Sequence, residues 1–234
     1  MTATPGLRTL HALLGVQSLV VVLVSLNRLG SWSEAYVAGN EFLRWVDLNN
    51  MVLAMLSLVA FHLLREHLGD ASDRTNRRAY RALGVAFVVG AYLLAAGYGA
   101  HEVTNYLHAR FCATATDRLC EIIVYHDDGF SHLMFFAGFT LINLVIMLTQ
   151  VAFPGPAPLT GTDTALIVAN ALFIGAGIVA NLAFEEIGLD LYVVAAIAVL
   201  SVVLLWRMPR QPILRYYAVA YVVGLAATAV AKLT

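Results

Sequence analysis

The sequence contains few charged residues for its length. Only 12% of its 234 residues are Asp, Glu, Lys or Arg, whereas a soluble domain carries roughly 25%. The exterior of a soluble protein must be covered largely by polar groups, so a chain that is 60% hydrophobic cannot adopt a soluble fold. The net charge is −1, so the sequence also lacks the basic excess of a nucleic-acid-binding protein. The composition predicts a protein embedded in a lipid bilayer, with no nucleic-acid partner.

Apolar stretches long enough to cross about 30 Å of hydrocarbon as helices recur along the whole chain. They cover residues 10–26, 46–64, 82–108, 121–152, 164–184, 189–206 and 213–231. A signal-peptide cleavage site is not evident near the first stretch, so we interpret that stretch as a retained helix. The sequence therefore predicts an all-α integral membrane bundle of seven transmembrane helices, forming one domain over residues 1–234.

Basic residues are distributed unevenly between the two ends of these helices. Arg8 and the arginines of the second and sixth loops fall on one side of a seven-helix bundle. Loops rich in Lys and Arg are generally cytoplasmic, so we predict a cytoplasmic N-terminus and an extracytoplasmic C-terminus, in the cell membrane. The only cysteines, Cys112 and Cys120, then lie in an extracytoplasmic loop. A disulfide suits that oxidising side, with free thiols or metal ligands as the alternatives.

Polar side chains inside three of the predicted helices concentrate toward the extracytoplasmic ends. Helix positions three and four apart share a face. The resulting stripes are Tyr98, His101, Asn105 and His108 on the third helix, Glu121, Tyr125, Asp128 and His132 on the fourth, and Asn170, Asn181 and Glu185 on the fifth. Such stripes are costly against lipid, so we expect them to face one another around a shared cavity.

Imidazole and carboxylate groups around one cavity are a ligand set for zinc, iron or manganese. The predicted ligands of a divalent metal, for which zinc is the first choice, are His101, His108, Asp128, His132 and Glu185. Water bound to such a metal becomes a nucleophile near neutral pH. Candidates for the general base are Glu102, Asp127 and Glu186, and Tyr125 is a candidate for holding the water or stabilising an oxyanion. The sequence therefore predicts a metal-dependent hydrolase that acts on a lipid or other apolar substrate.

Two other functions use the same residues. A series of histidines and carboxylates also conducts protons or metal ions across membranes. A buried polar network in a receptor or structural subunit fixes helix packing without any chemistry. The polar stripes become apolar beyond Asn143 and Asn170, which favours a site open to one side over a pathway through the membrane.

Two seven-helix families bear comparison with this sequence. Microbial rhodopsins hold retinal on a lysine in the middle of the last helix, but the only lysine here, Lys232, lies at the end of that helix. Zinc hydrolases of the alkaline ceramidase and adiponectin-receptor type are similar in architecture. Their last helix carries an HxxxH pair, whereas residues 213–231 contain no histidine. The resemblance implies an architecture alone, and no site residue is carried over from it.

Overall fold

The computed structural model describes residues 5–39, 41–70, 76–114, 117–155, 158–184 and 188–233. Within these residues, seven helical spans are long and apolar enough to cross a membrane. Every predicted apolar stretch overlaps one of them. The prediction of an all-α bundle with seven transmembrane helices is confirmed.

The helices are α1 Arg8–Leu29, α2 Trp45–Asp70, α3 Arg77–Leu107, α4 Arg118–Val124, α5 His132–Ala152, α6 Gly161–Phe184, α7 Leu189–Arg207 and α8 Pro212–Leu233. A π-helical segment, Tyr125–Ser131, joins α4 to α5, so that both belong to the single span Arg118–Ala152. A second π-helical segment, His108–Cys112, continues α3. We call the end of the bundle that contains both π-helical segments the site end.

Glycines bring α3 and α5 into contact at the level of their backbones. A Cβ atom on Gly138 would lie 2.6 Å from the carbonyl oxygen of Gly90 and 2.7 Å from the Cα atom of Leu94. A Cβ atom on Gly97 would lie 2.7 Å from the carbonyl oxygen of Ser131. No side chain fits at these two positions without moving a helix. The separation of α3 from α5 is therefore fixed by glycine backbone on both helices.

A disulfide joins the extensions of these two helices at the site end. A disulfide bond joins Cys112 and Cys120, which confirms the disulfide predicted from the sequence. The side chain of Asp117 accepts a hydrogen bond from the backbone N–H of Cys120 at 3.0 Å and caps the start of α4. The turns that follow α3 and precede α5 are thus held together covalently as well as by packing.

Polar contacts attach α1 to α6 inside the apolar bundle. Ser18 donates a hydrogen bond to the side-chain oxygen of Asn170 at 2.7 Å. Nearer the end opposite the site, His11 Nε2 lies 3.0 Å from the fully buried carboxylate of Asp163. Polar groups have no water to bind at membrane depth, so such pairs fix the rotation of α1 against its neighbour.

Candidate functional site

Asp127 is the central carboxylate of the polar cluster at the site end. Its side chain is completely buried, with 0% of the residue exposed. Oδ2 lies 2.9 Å from Nδ1 of His108, and Oδ1 lies 2.9 Å from Nδ1 of His101. Thr104 donates a further hydrogen bond to Oδ1 at 3.3 Å. The carboxylate therefore sits between three polar side chains that α3 presents on successive turns.

A second carboxylate completes a compact group of potential metal ligands. His108, Asp127 and Asp128 each offer one ligand atom, and these atoms lie within 4.8 Å of one another. Oδ2 of Asp128 is 4.0 Å from Nδ1 of His108, and its side chain is 60% exposed. One nitrogen and two carboxylate oxygens form a ligand set for zinc, iron or manganese. The exposed carboxylate marks the direction from which water reaches the group.

Two more imidazoles lie against this group. The rings of His101 and His132 are 5.0 Å apart between centroids, so α3 and α5 each contribute one histidine to the same contact. The buried Nδ1 of His101 has no hydrogen-bond partner among the described residues, because its 2.9 Å approach to Asp127 is poorly aligned. An unpaired buried nitrogen is costly, and an ion bound to both groups would satisfy it.

The π-helical segment Tyr125–Ser131 determines which carboxylate points inward. With ordinary α-helical spacing, Asp128 shares a face with Glu121, Tyr125 and His132. A π-helix closes its hydrogen bonds over five residues instead of four, so an extra residue enters the turn and the faces rotate. As a result Asp127 is buried and contacts the histidines, whereas Asp128 is exposed. The carboxylate predicted as a general base therefore occupies the position expected of a ligand.

Glu102, another predicted general base, faces a different part of the bundle. Its carboxylate accepts hydrogen bonds from the amide of Asn50 on α2, at 3.1 and 3.2 Å. Asn50 in turn accepts a hydrogen bond from Asn27 on α1 at 2.8 Å. Glu102 is 6% exposed and belongs to this amide network. The network links three helices at the site end.

Tyr125 does not join the cluster, and two other predicted residues lie outside the described part of the chain. Tyr125 is 64% exposed, and its ring packs against the neighbouring ring of His126 at 5.7 Å. Glu185, predicted as a metal ligand, and Glu186, predicted as a base, lie outside the described residues. The structure thus brings together His101, His108, Asp127, Asp128 and His132.

Thr104 and Asn27 are polar partners at the site end that sequence reasoning missed. Thr104 lies three residues after His101 and four residues before His108, so it shares their face of the helix. Its contact with Asp127 could therefore have been predicted from the polar stripe of the third helix. Asn27 ends the apolar run of α1 at the site end. Asn27 is a polar residue at the end of an apolar run, and that end also contains the histidine cluster. This position was the sequence signal that could have identified it as a polar partner.

Two arginines form a basic rim beside the cluster. The guanidinium of Arg44 pairs with Asp47 at 2.8 Å and lies over the ring of Tyr106, 4.9 Å from its centroid. The hydrogen-bonded Asp47 carboxylate raises the pKa of Arg44, so this side chain stays charged. Arg110 donates a hydrogen bond to the carbonyl oxygen of Glu41 at 2.6 Å. Each of the two guanidinium groups at this rim is thus paired with a carboxylate, since Arg110 also lies 3.7 Å from the carboxylate of Glu41.

Fold and site together define a seven-helix membrane protein with a buried histidine–carboxylate cluster at one end of the bundle. Comparisons with protein-family models, with curated proteins and with solved structures find no match to the chain. The chemistry and position of the cluster are therefore the features that indicate a function.

Proposed function

We propose that the chain is a metal-dependent membrane hydrolase that acts on lipid at the surface of one leaflet. The observation that carries the proposal is the close group of His108, Asp127 and Asp128, in which a fully buried carboxylate is shared by histidines of the neighbouring helix. Burying a carboxylate is costly unless it is paired, and a divalent cation is the partner that this donor set suits best.

We assign His108, Asp127 and Asp128 as the ligands of one zinc ion, with iron or manganese as the other metals that the set accepts. His101 Nδ1 lies 2.9 Å from the second oxygen of Asp127. Three protein ligands leave a coordination position free for water, as in catalytic zinc sites. His132 borders the cluster through its contact with His101.

The chemistry follows from that open position. Zinc lowers the pKa of bound water to about 7, which makes hydroxide available at neutral pH. A metal held by His108, Asp127 and Asp128 would supply this hydroxide as the nucleophile for the carbonyl carbon of the substrate, and the bond from that carbon to the leaving oxygen would break. The proton released from the water would be transferred to the leaving oxygen. We assign this transfer to His132, since an imidazole is the usual group for carrying a proton at neutral pH.

The depth of the cluster supports a lipid substrate. A helix needs roughly 20 residues to cross the hydrocarbon core. Counted from the first apolar residue after Arg81, such a stretch on α3 ends near His101, and counted back from Ala152 on α5 it ends near His132. Both counts reach the same two histidines, which contact each other. The cluster thus lies at the boundary between the hydrocarbon and the headgroups.

The disulfide supports an extracytoplasmic position for the site end. Structural disulfides persist in oxidising compartments, and Cys112–Cys120 lies beside the cluster. The opposite end carries Arg77, Arg78, Arg81 and Arg207, as cytoplasmic loops do. In the orientation that we propose, the N-terminus is cytoplasmic and the site lies on the outer face of the cell membrane.

Metal analysis of the purified protein tests the proposal. After exposure to zinc, iron and manganese and removal of excess metal, we expect one ion per chain by elemental analysis. His108→Ala and Asp127→Asn should lose it. His126→Ala is the matched control, because His126 lies on the same π-helical segment, is exposed and packs against Phe130 at 5.6 Å between ring centroids. Absence of metal from the parent protein under all three loadings would refute the proposal.

Proton or ion transport is the second candidate function, and contacts along α1 favour it. Polar groups meet at His11–Asp163, at Ser18–Asn170 and at Asn27–Asn50. The steps along α1 between these three contacts are about 10 and 14 Å, which would require water to bridge them. Flux in liposomes tests this pathway. Proton uptake above that of empty liposomes, lost in Glu102→Gln, would support transport, and uptake equal to that of empty liposomes would exclude it.

A further inference from the structure

An apolar groove runs along the lipid-facing junction of α5 and α7. Its lining includes Leu133, Phe136, Thr140 and Leu144 on α5, and Leu189 and Val193 on α7. The groove has a volume of about 340 Å³. Leu133 is 58% exposed and Leu189 is 46% exposed, so the groove opens to the surroundings of the bundle. We call it the α5–α7 groove.

The groove begins where the histidine–carboxylate cluster ends. His132, whose ring contacts His101 of the cluster, is followed directly in the chain by the lining residue Leu133. The ring of His132 also contacts the lining residue Phe136, with 6.2 Å between centroids. One imidazole therefore touches both the cluster and the groove. A molecule lying in the groove reaches the cluster through His132.

The α5 wall of the groove matches one leaflet in length. The α5 part of the lining extends from Leu133 to Leu144, a rise of roughly 16 Å along the helix. Half of the hydrocarbon core is roughly 15 Å thick. The α7 part starts at Leu189, the first residue of that helix, so both walls begin at the site end. A single acyl chain, running from the headgroup boundary toward the middle of the bilayer, has this length and polarity.

We propose that the substrate is an acyl ester of a membrane lipid, which enters sideways from the bilayer and places one acyl chain in the α5–α7 groove. Its ester group then lies beside His132, because ester groups of bilayer lipids occupy the boundary between hydrocarbon and headgroups. This inference rests on the proposed hydrolase. It adds the route of entry and the part of the lipid that is recognised.

A groove-filling variant tests the inference with two substrates. Ala137→Phe adds a ring to an exposed residue of the lining, and Ala95→Phe makes the same change at an exposed residue of α3. Hydrolysis of long-chain phosphatidylglycerol in vesicles should fall about tenfold in Ala137→Phe, the lower end of the effect of a pocket misfit by one methylene group. Hydrolysis of p-nitrophenyl acetate, which has no long chain, should remain unchanged. Ala95→Phe should match the parent protein on both substrates.

Equal losses on both substrates in Ala137→Phe, or no loss on either, would overturn the groove assignment. Photolabelling separates this failure from failure of the proposed function. A phosphatidylglycerol with a diazirine in one acyl chain should label residues 133–144 in the parent protein and lose that labelling in Ala137→Phe. Uniform labelling of α3 and α5 would overturn the inference even if the protein binds zinc. Selective labelling by a protein that binds no zinc and cleaves no ester would refute the hydrolase and support the groove as a lipid site.

Discussion

Replacing Gly138 by alanine should disable the cluster without altering any of its side chains. The added Cβ would lie 2.6 Å from the carbonyl oxygen of Gly90, whereas ordinary contact begins near 3.4 Å. Because the opposing atoms are backbone, α3 and α5 must separate by about 1 Å, at a cost of about 1–3 kcal/mol. The 2.9 Å separations of Asp127 from His101 and His108 would then approach 4 Å. We expect weaker zinc binding in titration calorimetry and a lower Tm in detergent.

Gly99→Ala is the matched control for this experiment. Gly99 lies on the same helix as the histidines, and a Cβ there would meet nothing within 4 Å. Alanine favours a helix over glycine by up to about 1 kcal/mol, so this variant should keep its zinc affinity and have an equal or higher Tm. A zinc affinity in Gly138→Ala equal to that of the parent protein would contradict this prediction, because it would show that the separation of α3 and α5 does not determine zinc binding.

Three further substitutions test other parts of the structure. Cys112→Ser opens a disulfide between residues that are 8 apart, and it should lower the unfolding free energy by about 2.5 kcal/mol, measured by denaturant titration in detergent. Asp163→Ala leaves the buried His11 side chain without its hydrogen-bond partner, so it should lower the free energy of unfolding by about 1–3 kcal/mol and with it the Tm, while the zinc content stays at one ion. Glu102→Gln keeps an acceptor for Asn50 and should leave both Tm and zinc content unchanged.

A different outcome would contradict each of these three predictions. An unchanged denaturation midpoint in Cys112→Ser, with a free thiol verified on Cys120, would show that the disulfide adds no stability. Loss of zinc from Asp163→Ala would mean that the two ends of the bundle are coupled. Loss of zinc from Glu102→Gln would place that carboxylate among the ligands, contrary to its contacts with Asn50.

The fold was predictable because membrane insertion leaves a strong signal in the sequence. A span needs about 20 apolar residues, and charges between the spans mark their ends. The pairing of Cys112 with Cys120 was also predictable, since the two cysteines flank one short loop. The spans and the disulfide could be predicted because they depend on composition and on the order of residues along the chain.

The inward faces of the helices were predictable only where the helices are regular. His101 and Thr104 lie on α3 and His108 is the first residue after it, so α-helical spacing holds between them and brings all three to Asp127. On the fourth span the same spacing selects Asp128, but the π-helical turn brings Asp127 inward. No single residue type predicts a π-helix. The sequence therefore could not show which side chains of this span face inward. The turn of Glu102 toward Asn50 likewise depends on how α2 packs, which is a tertiary property.

The span Arg118–Ala152 contains 35 residues, so it is about 52 Å long, well beyond the roughly 30 Å of hydrocarbon that it crosses. With the cluster at the headgroup boundary, as proposed above, the surplus length lies at the site end and carries Asp127 and Asp128. Hydrophobic mismatch would then act directly on the proposed reaction. In a bilayer a few ångströms thicker, the ester groups of the proposed substrate would move outward past His132 toward the carboxylates, and in a thinner one they would withdraw below it. Membrane thickness would thus adjust the alignment of the proposed substrate with the cluster, without any change in the protein.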